Sequence, residues 1–135
     1  MPPPPTNGIL ETSLYVESPP RAVEFYERVF GFRLIDMPRD EVTESSRLCP
    51  MRAGDRDVLL LFKQGGTEDT DATGAIHIAF AIARDDLKAW ENWLAEQGID
   101  IESRRTWTHG GESLYFRDPD GHLLEVATPG VWTIY

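Results

Sequence analysis

Three side chains able to hold a metal ion stand where strand alternation turns them to equivalent faces. In GAIHIAFAIARDD, Gly74 to Asp86, His77 interrupts an otherwise apolar strand-like run. Ile76, Ile78, Phe80 and Ile82 alternate there with Ala75, His77, Ala79 and Ala81, so the imidazole shares its face with alanines. Glu11 stands in GILETSLYV on the face of Ile9, Ser13 and Tyr15, and Glu125 stands in HLLEVAT on the face of Leu123 and Ala127. A carboxylate buried alone is costly, or it takes up a proton. Two carboxylates and a neutral imidazole around a divalent cation remove that penalty, and small alanine neighbours leave room for the ion and its ligand. The competing reading is a hydrogen-bonded core histidine with two glutamates on solvated faces, and the pattern leaves both open.

The elements that must position these residues are written twice. GILETSLYV and GAIHIAFAI both open with glycine and then alternate. Each is followed by a helix signal. In ESPPRAVEFYERVFGF, Ser18 is the expected N-cap, prolines occupy the first turn and Gly31 is the stop. In RDDLKAWENWLAEQGI, Asp85 is the expected cap, Leu87, Trp90, Trp93 and Leu94 form the apolar stripe covering the sheet, and Gly98 is the stop. Strand segments then follow in each half: FRLIDM, SSRLCPMRAG and RDVLLLFKQ, then IDIESRRTW, ESLYFRDPDG and HLLEVAT. Asp118-Pro119-Asp120-Gly121 reads as a tight hairpin turn.

The expected fold is therefore α+β, with tandem βαβββ modules forming a curved mixed sheet around a central cavity. The boundaries are an N-terminal arm at 1–7, a first module at 8–62, a linker at 63–73, a second module at 74–130 and a tail at 131–135, together one domain. The repeat sets His77 on Glu11. It also sets Glu125 on Leu61, so the first module carries no carboxylate at that place.

Composition narrows the partners. The chain has 135 residues and a formal net charge of −10, which disfavours nucleic acid and anionic membranes because phosphate contacts need a basic footprint. Cys49 is the only cysteine, which excludes an internal disulfide and a thiolate cluster; a buried inert thiol is expected. MPPPPTNG has no basic region followed by an apolar core, and no apolar run is long enough to span a bilayer. A cytoplasmic protein with a small-molecule substrate is the expectation.

The tandem module, the AVEFYERVFGF helix and the ending GGESLYFRDPDGHLLEVATPG resemble the vicinal-oxygen-chelate superfamily. That group includes glyoxalase I, extradiol dioxygenases, methylmalonyl-CoA epimerase, fosfomycin-resistance thiol transferases and bleomycin-binding resistance proteins. The resemblance runs from Gly8 to Gly130. It implies metal ligands at Glu11, His77 and Glu125, with Glu125 also catalytic. Glu11 falls where three-ligand members carry histidine, a departure that counts against a ring-cleaving His-His-Glu iron site. Leu61 falls where glyoxalase I has its fourth ligand, which counts against a standard glyoxalase I.

Tyr115 matches a tyrosine near the metal in the fosfomycin-resistance enzymes, where it would hydrogen-bond an oxyanion. Ser13, His109 in the WTHGGES loop and Arg117 are expected to bind substrate. The implied function is a homodimeric enzyme dependent on Mn²⁺, Fe²⁺, Zn²⁺ or Ni²⁺. It would act on a small oxygen-rich molecule by stabilising an enolate or oxyanion, with lyase or isomerase chemistry favoured over ring cleavage and thiol addition. The alternative is a metal-free ligand-sequestering protein of the bleomycin-resistance type.

Overall fold

The computed structural model describes residues 2–3, 5, 9–66 and 74–135. Much of the expected arm and linker, and Gly8 with them, lies outside the described residues. The chain divides into two units, Met1–Thr73 and Gly74–Tyr135.

In the first unit, β1 (Glu11–Val16) leads to α1 (Pro19–Phe30), then β2 (Arg33–Leu34), β3 (Leu48–Arg52) and β4 (Val58–Lys63). The sheet order is β1-β4-β3-β2, with β1 parallel to β4 and the remaining pairs antiparallel. Helix α1 forms where its signals lie. The Ser18 hydroxyl accepts from the Arg21 amide, prolines fill the first turn, and Gly31 at φ 71 closes the last turn onto Glu27 and Tyr26 carbonyls. Val23, Phe25, Tyr26 and Val29 are buried on this helix, as are Leu14 and Val16 on β1 and Leu59 and Leu61 on β4. This is the strip of apolar surface whose removal from water holds the unit together.

The second unit repeats the plan with β5 (His77–Ala81), α2 (Leu87–Glu96), β6 (Ser103–Thr106), β7 (Glu112–Arg117) and β8 (Leu123–Ala127). Its order is β5-β8-β7-β6, with β5 parallel to β8. Both units are thus βαβββ modules of mixed sheet, and the α+β class holds. Between β7 and β8 the Asp118 carboxylate accepts from the Asp120 and His122 amides, 2.9 Å each, and Gly121 takes φ 83. The turn reads as its residues predict. His122 is buried, and its Nδ1 accepts from the Ile76 amide at 3.1 Å, so its role is structural. No helix among the described residues is long and apolar enough to cross a membrane.

Three expectations need correction. Asp85 does not cap α2: it lies inside a 3-10 turn, Arg84–Asp86, and the helix begins at Leu87 with Asp86 at the cap position and no side-chain bond. The backbone bond from Asp86 to the Ala83 carbonyl closes the entry to the helix instead. Within the expected stripe only Leu94 is fully buried, and Trp93 stays exposed.

The repeat alignment is also one residue out at β4. Glu11 pairs with Val58, and its counterpart His77 pairs with Leu123. The counterpart of Glu125 is therefore Leu60, while the fully buried Leu61 matches Val126. The run Val58–Phe62 is apolar throughout, so nothing in it marks which residues face which side.

Candidate functional site

The polar centre of the second unit is built by three adjacent strands. Parallel pairing sets Ala79 on β5 beside Glu125 on β8, and antiparallel pairing sets Tyr115 on β7 against the other side of Glu125. Alternation aims Leu124 and Val126 into the core, where both are fully buried, and leaves Glu125 on the opposite face.

Glu125 is only 5% exposed, yet both its oxygens are engaged. Oε2 accepts from the Ser113 hydroxyl at 2.5 Å, and Ser113 Oγ accepts from Trp107 Nε1 at 2.9 Å. Oε1 lies 2.9 Å from His77 Nε2. The other ring nitrogen, Nδ1, lies 3.2 Å from the Leu123 carbonyl. Tyr115 stacks near the imidazole, with ring centroids 6.0 Å apart. Burial, and then the Glu125 charge, raise the Tyr115 phenol above its ordinary value, so it remains a proton donor at neutral pH.

Both nitrogens of His77 face acceptors, and a neutral imidazole has one proton to give. With that proton on Nδ1, directed at the Leu123 carbonyl, the lone pair on Nε2 meets a carboxylate oxygen. With the proton on Nε2 instead, the contact is a hydrogen bond donated to the Glu125 carboxylate; the first tautomer leaves both atoms free to share a cation. The donor set fits a divalent ion: ligands at about 2.0–2.2 Å in adjacent coordination positions lie roughly 3 Å from one another, as these two atoms do. The second-sphere features of a metal ligand are also present, with a backbone carbonyl on the far nitrogen and a hydroxyl on the far carboxylate oxygen.

A cavity of about 450 Å³ opens over this pair. Ala79, Ala81 and Ala127 form its small-residue side, Trp107 and Tyr115 another, and the segment 131–135 a third. His77 thus stands among alanines because that face of the strand borders open space.

The predicted site residues divide by location. His77, Glu125 and Tyr115 come together around the cavity. Glu11, at the start of β1, and Ser13, paired with Leu60, belong to the first unit. Among the described residues no group of three or more His, Cys, Asp or Glu is disposed to hold a metal. His109 is exposed in the turn closed by the Gly110 amide on the Trp107 carbonyl. Arg117 is held by Glu102 at 3.1 Å and the Gly121 carbonyl at 3.0 Å. Neither side chain lines the cavity.

Sequence reasoning missed the hydrogen bonds by which Trp107 holds Ser113 and Ser113 holds Glu125. Ser113 stands two residues before Tyr115 in ESLYFR, so strand alternation gives the two one face, a usable signal. Nothing periodic points the loop indole at it.

Residues 8–126 match the family model described as Glyoxalase/Bleomycin resistance protein/Dioxygenase superfamily. The chain is 35% identical over 136 residues to the metallothiol transferase FosB of Shouchella clausii (strain KSM-K16), covering 90% of this chain and 80% of that protein. It is 30% identical over 122 residues to the metallothiol transferase FosB of Staphylococcus haemolyticus (strain JCSC1435), covering 90% and 83%. Among solved structures, the lactoylglutathione lyase from Agrobacterium tumefaciens aligns with a TM-score of 0.83 at 27% identity, covering 96% of this chain and 99% of that one.

Proposed function

This chain belongs to the glyoxalase/bleomycin resistance protein/dioxygenase superfamily, and from that premise we propose that it is a divalent-metal-dependent enzyme acting on a small oxygen-rich substrate. The observation that carries the reading is the approach of His77 Nε2 and Glu125 Oε1 to 2.9 Å, an imidazole and a carboxylate side by side at the floor of a cavity.

His77 and Glu125 are the proposed ligands. Glu11 is the proposed third, supported by its repeat-related place: it pairs with Val58 as His77 pairs with Leu123. The third ligand comes from the same chain or from the second copy of a homodimer. A Mn²⁺, Fe²⁺, Zn²⁺ or Ni²⁺ ion held there would supply Lewis-acid polarisation of substrate oxygens.

The chain's own residues do the positioning. With an ion bound, the Leu123 carbonyl, 3.2 Å from Nδ1, would hold the His77 proton there and leave the Nε2 lone pair for the metal. Ser113, itself anchored by Trp107, fixes the rotation of the Glu125 carboxylate. The protonated Tyr115 hydroxyl borders the cavity and donates to negative charge developing on a substrate oxygen.

The relatives' names narrow the reaction class. One couples a metal to thiol transfer, and the other is a lyase of a glutathione adduct. A thiol or its adduct is the chemistry that both names share, and that is the substrate class we assign here, with lyase and transferase as the two reaction types.

Metal analysis of the purified protein beside Glu125→Ala tests the assignment. About one equivalent per chain in the wild type, lost in the variant, is expected. No metal in either protein after reloading with the four ions would overturn it and favour ligand sequestration, with binding that survives excess chelator.

A further inference from the structure

The segment 131–135 lies outside both βαβββ modules, yet it is fastened with care. Its base is clamped by Arg84, whose guanidinium donates to the Gly110 and Pro129 carbonyls at 3.0 Å each. Gly130 takes φ 100, and its amide donates to the Tyr135 carbonyl at 2.7 Å. The Tyr135 amide returns to the Trp132 carbonyl at 3.2 Å, and the Tyr135 hydroxyl reaches the Ile82 carbonyl at 3.1 Å. These bonds hold a closed loop against the end of β5.

What this loop presents is apolar. Val131, Trp132, Ile134 and Tyr135 all border the cavity over His77 and Glu125, and Trp132 and Ile134 remain 70% and 95% exposed. Large apolar side chains fixed in water beside a polar pair are surface waiting for a ligand to cover it. Across the cavity Ala79, Ala81 and Ala127 leave space for a flat group. Among the described residues no Lys or Arg lines this cavity, and Glu125 puts a carboxylate on its floor. Beyond the oxygens that would reach the ion, a further anionic group therefore finds no Lys or Arg among the residues lining these walls. At about 450 Å³ the space lies within the range of small-molecule sites.

We infer that the ligand of this cavity carries an uncharged, flat apolar group beside its metal-binding oxygens, and that the wall recognising this group is the Trp132–Tyr135 loop. The inference rests on the metal reading above for the oxygen head alone. The wall is a specificity device of its own.

Two hydroxamates with the same chelating head separate the claims. Binding of acetohydroxamate and benzohydroxamate to Ni²⁺-loaded protein is measured by calorimetry. Acetohydroxamate reports the metal centre, and the ratio of the two affinities reports the wall. Benzohydroxamate is expected to bind roughly 10- to 100-fold more tightly, the increment for burying one phenyl ring.

Trp132→Ala should shrink the ratio to about threefold or less and leave acetohydroxamate binding unchanged, while Trp132→Phe should keep most of it. Trp132 and Ile134 are exposed, so substitution leaves the core intact, and Ile134→Ala gives a second reading. Equal affinity for the two probes, or a ratio untouched by both alanine variants, overturns the wall and spares the metal centre. A changed oligomeric state in Trp132→Ala with an unchanged ratio assigns the loop to a second copy and overturns it too. If acetohydroxamate fails to bind while benzohydroxamate binds in a Trp132-dependent way, the wall stands and the metal reading falls.

Discussion

The hydroxyl of Ser113 donates a hydrogen bond to Glu125 and accepts one from the Trp107 indole, so its removal strands two polar groups at once. Ser113→Ala is expected to cost about 1–3 kcal/mol, the penalty for leaving buried partners unsatisfied. It should also weaken metal binding about 10- to 100-fold, as loss of a ligand's outer hydrogen bond does. Urea unfolding and metal titration read the two effects separately; wild-type metal affinity in the variant would mean that Glu125 needs no outside orientation. A different single-residue test concerns Cys49. It is fully buried, and burial pushes its thiol up, with the Arg39 charge opposing in smaller part. A group whose folded pKa is raised contributes stability that is fully present below the ordinary thiol range and is lost as pH rises through the folded value. The native thiol should therefore resist iodoacetamide at about pH 8, near the unfolded thiol value, and react promptly in urea. Rapid alkylation of native protein, read by intact mass, would contradict the burial.

Among the elements, the two helices begin differently, and the difference is measurable. Ser18 accepts a backbone amide, so Ser18→Ala should cost about 1 kcal/mol, whereas Asp86 makes no side-chain cap bond and Asp86→Ala should cost a few tenths at most. Strand β4 provides a sharper contrast. Leu61 is fully buried and Leu60 is not, so Leu61→Glu should cost about 4 kcal/mol or prevent folding, while Leu60→Glu should cost about 1 kcal/mol. Comparable losses at the two positions would undo the corrected register. The same strand explains where sequence reading stopped. β5 and β7 carry His77 and Tyr115 among apolar residues, and those polar marks fix which side is which. The run Val58–Phe62 has no such mark, so its phase was open until pairing with β1 set it. Helix α1 was legible to the residue because a hydroxyl, two prolines and a glycine all act locally. The start of α2 was not, because a 3-10 turn and a helix share the same aspartates. The meeting of Trp107 with Ser113 and the cavity-lining loop at 131–135 depend on contacts between distant segments, which no period records.

At the level of the whole molecule, 23 acidic against 13 basic side chains give a net charge of −10, and any cation relieves the self-repulsion. A rise in melting temperature with added divalent metal is therefore ambiguous by itself. Salt separates the two causes. At about 0.15 M NaCl the Debye length is about 8 Å, so surface repulsion is largely screened and further nonspecific stabilisation is small. A metal held by His77 and Glu125 acts instead by mass action on the folded state. At a free concentration of about 100 times its dissociation constant it adds about 2.7 kcal/mol, which is on the order of 10 °C for a chain of this size. That increment should persist at the higher salt, disappear with chelator and be absent in Glu125→Ala. A rise that fades with NaCl, or that Glu125→Ala shares, would assign the effect to the acidic surface and leave the centre without its ion.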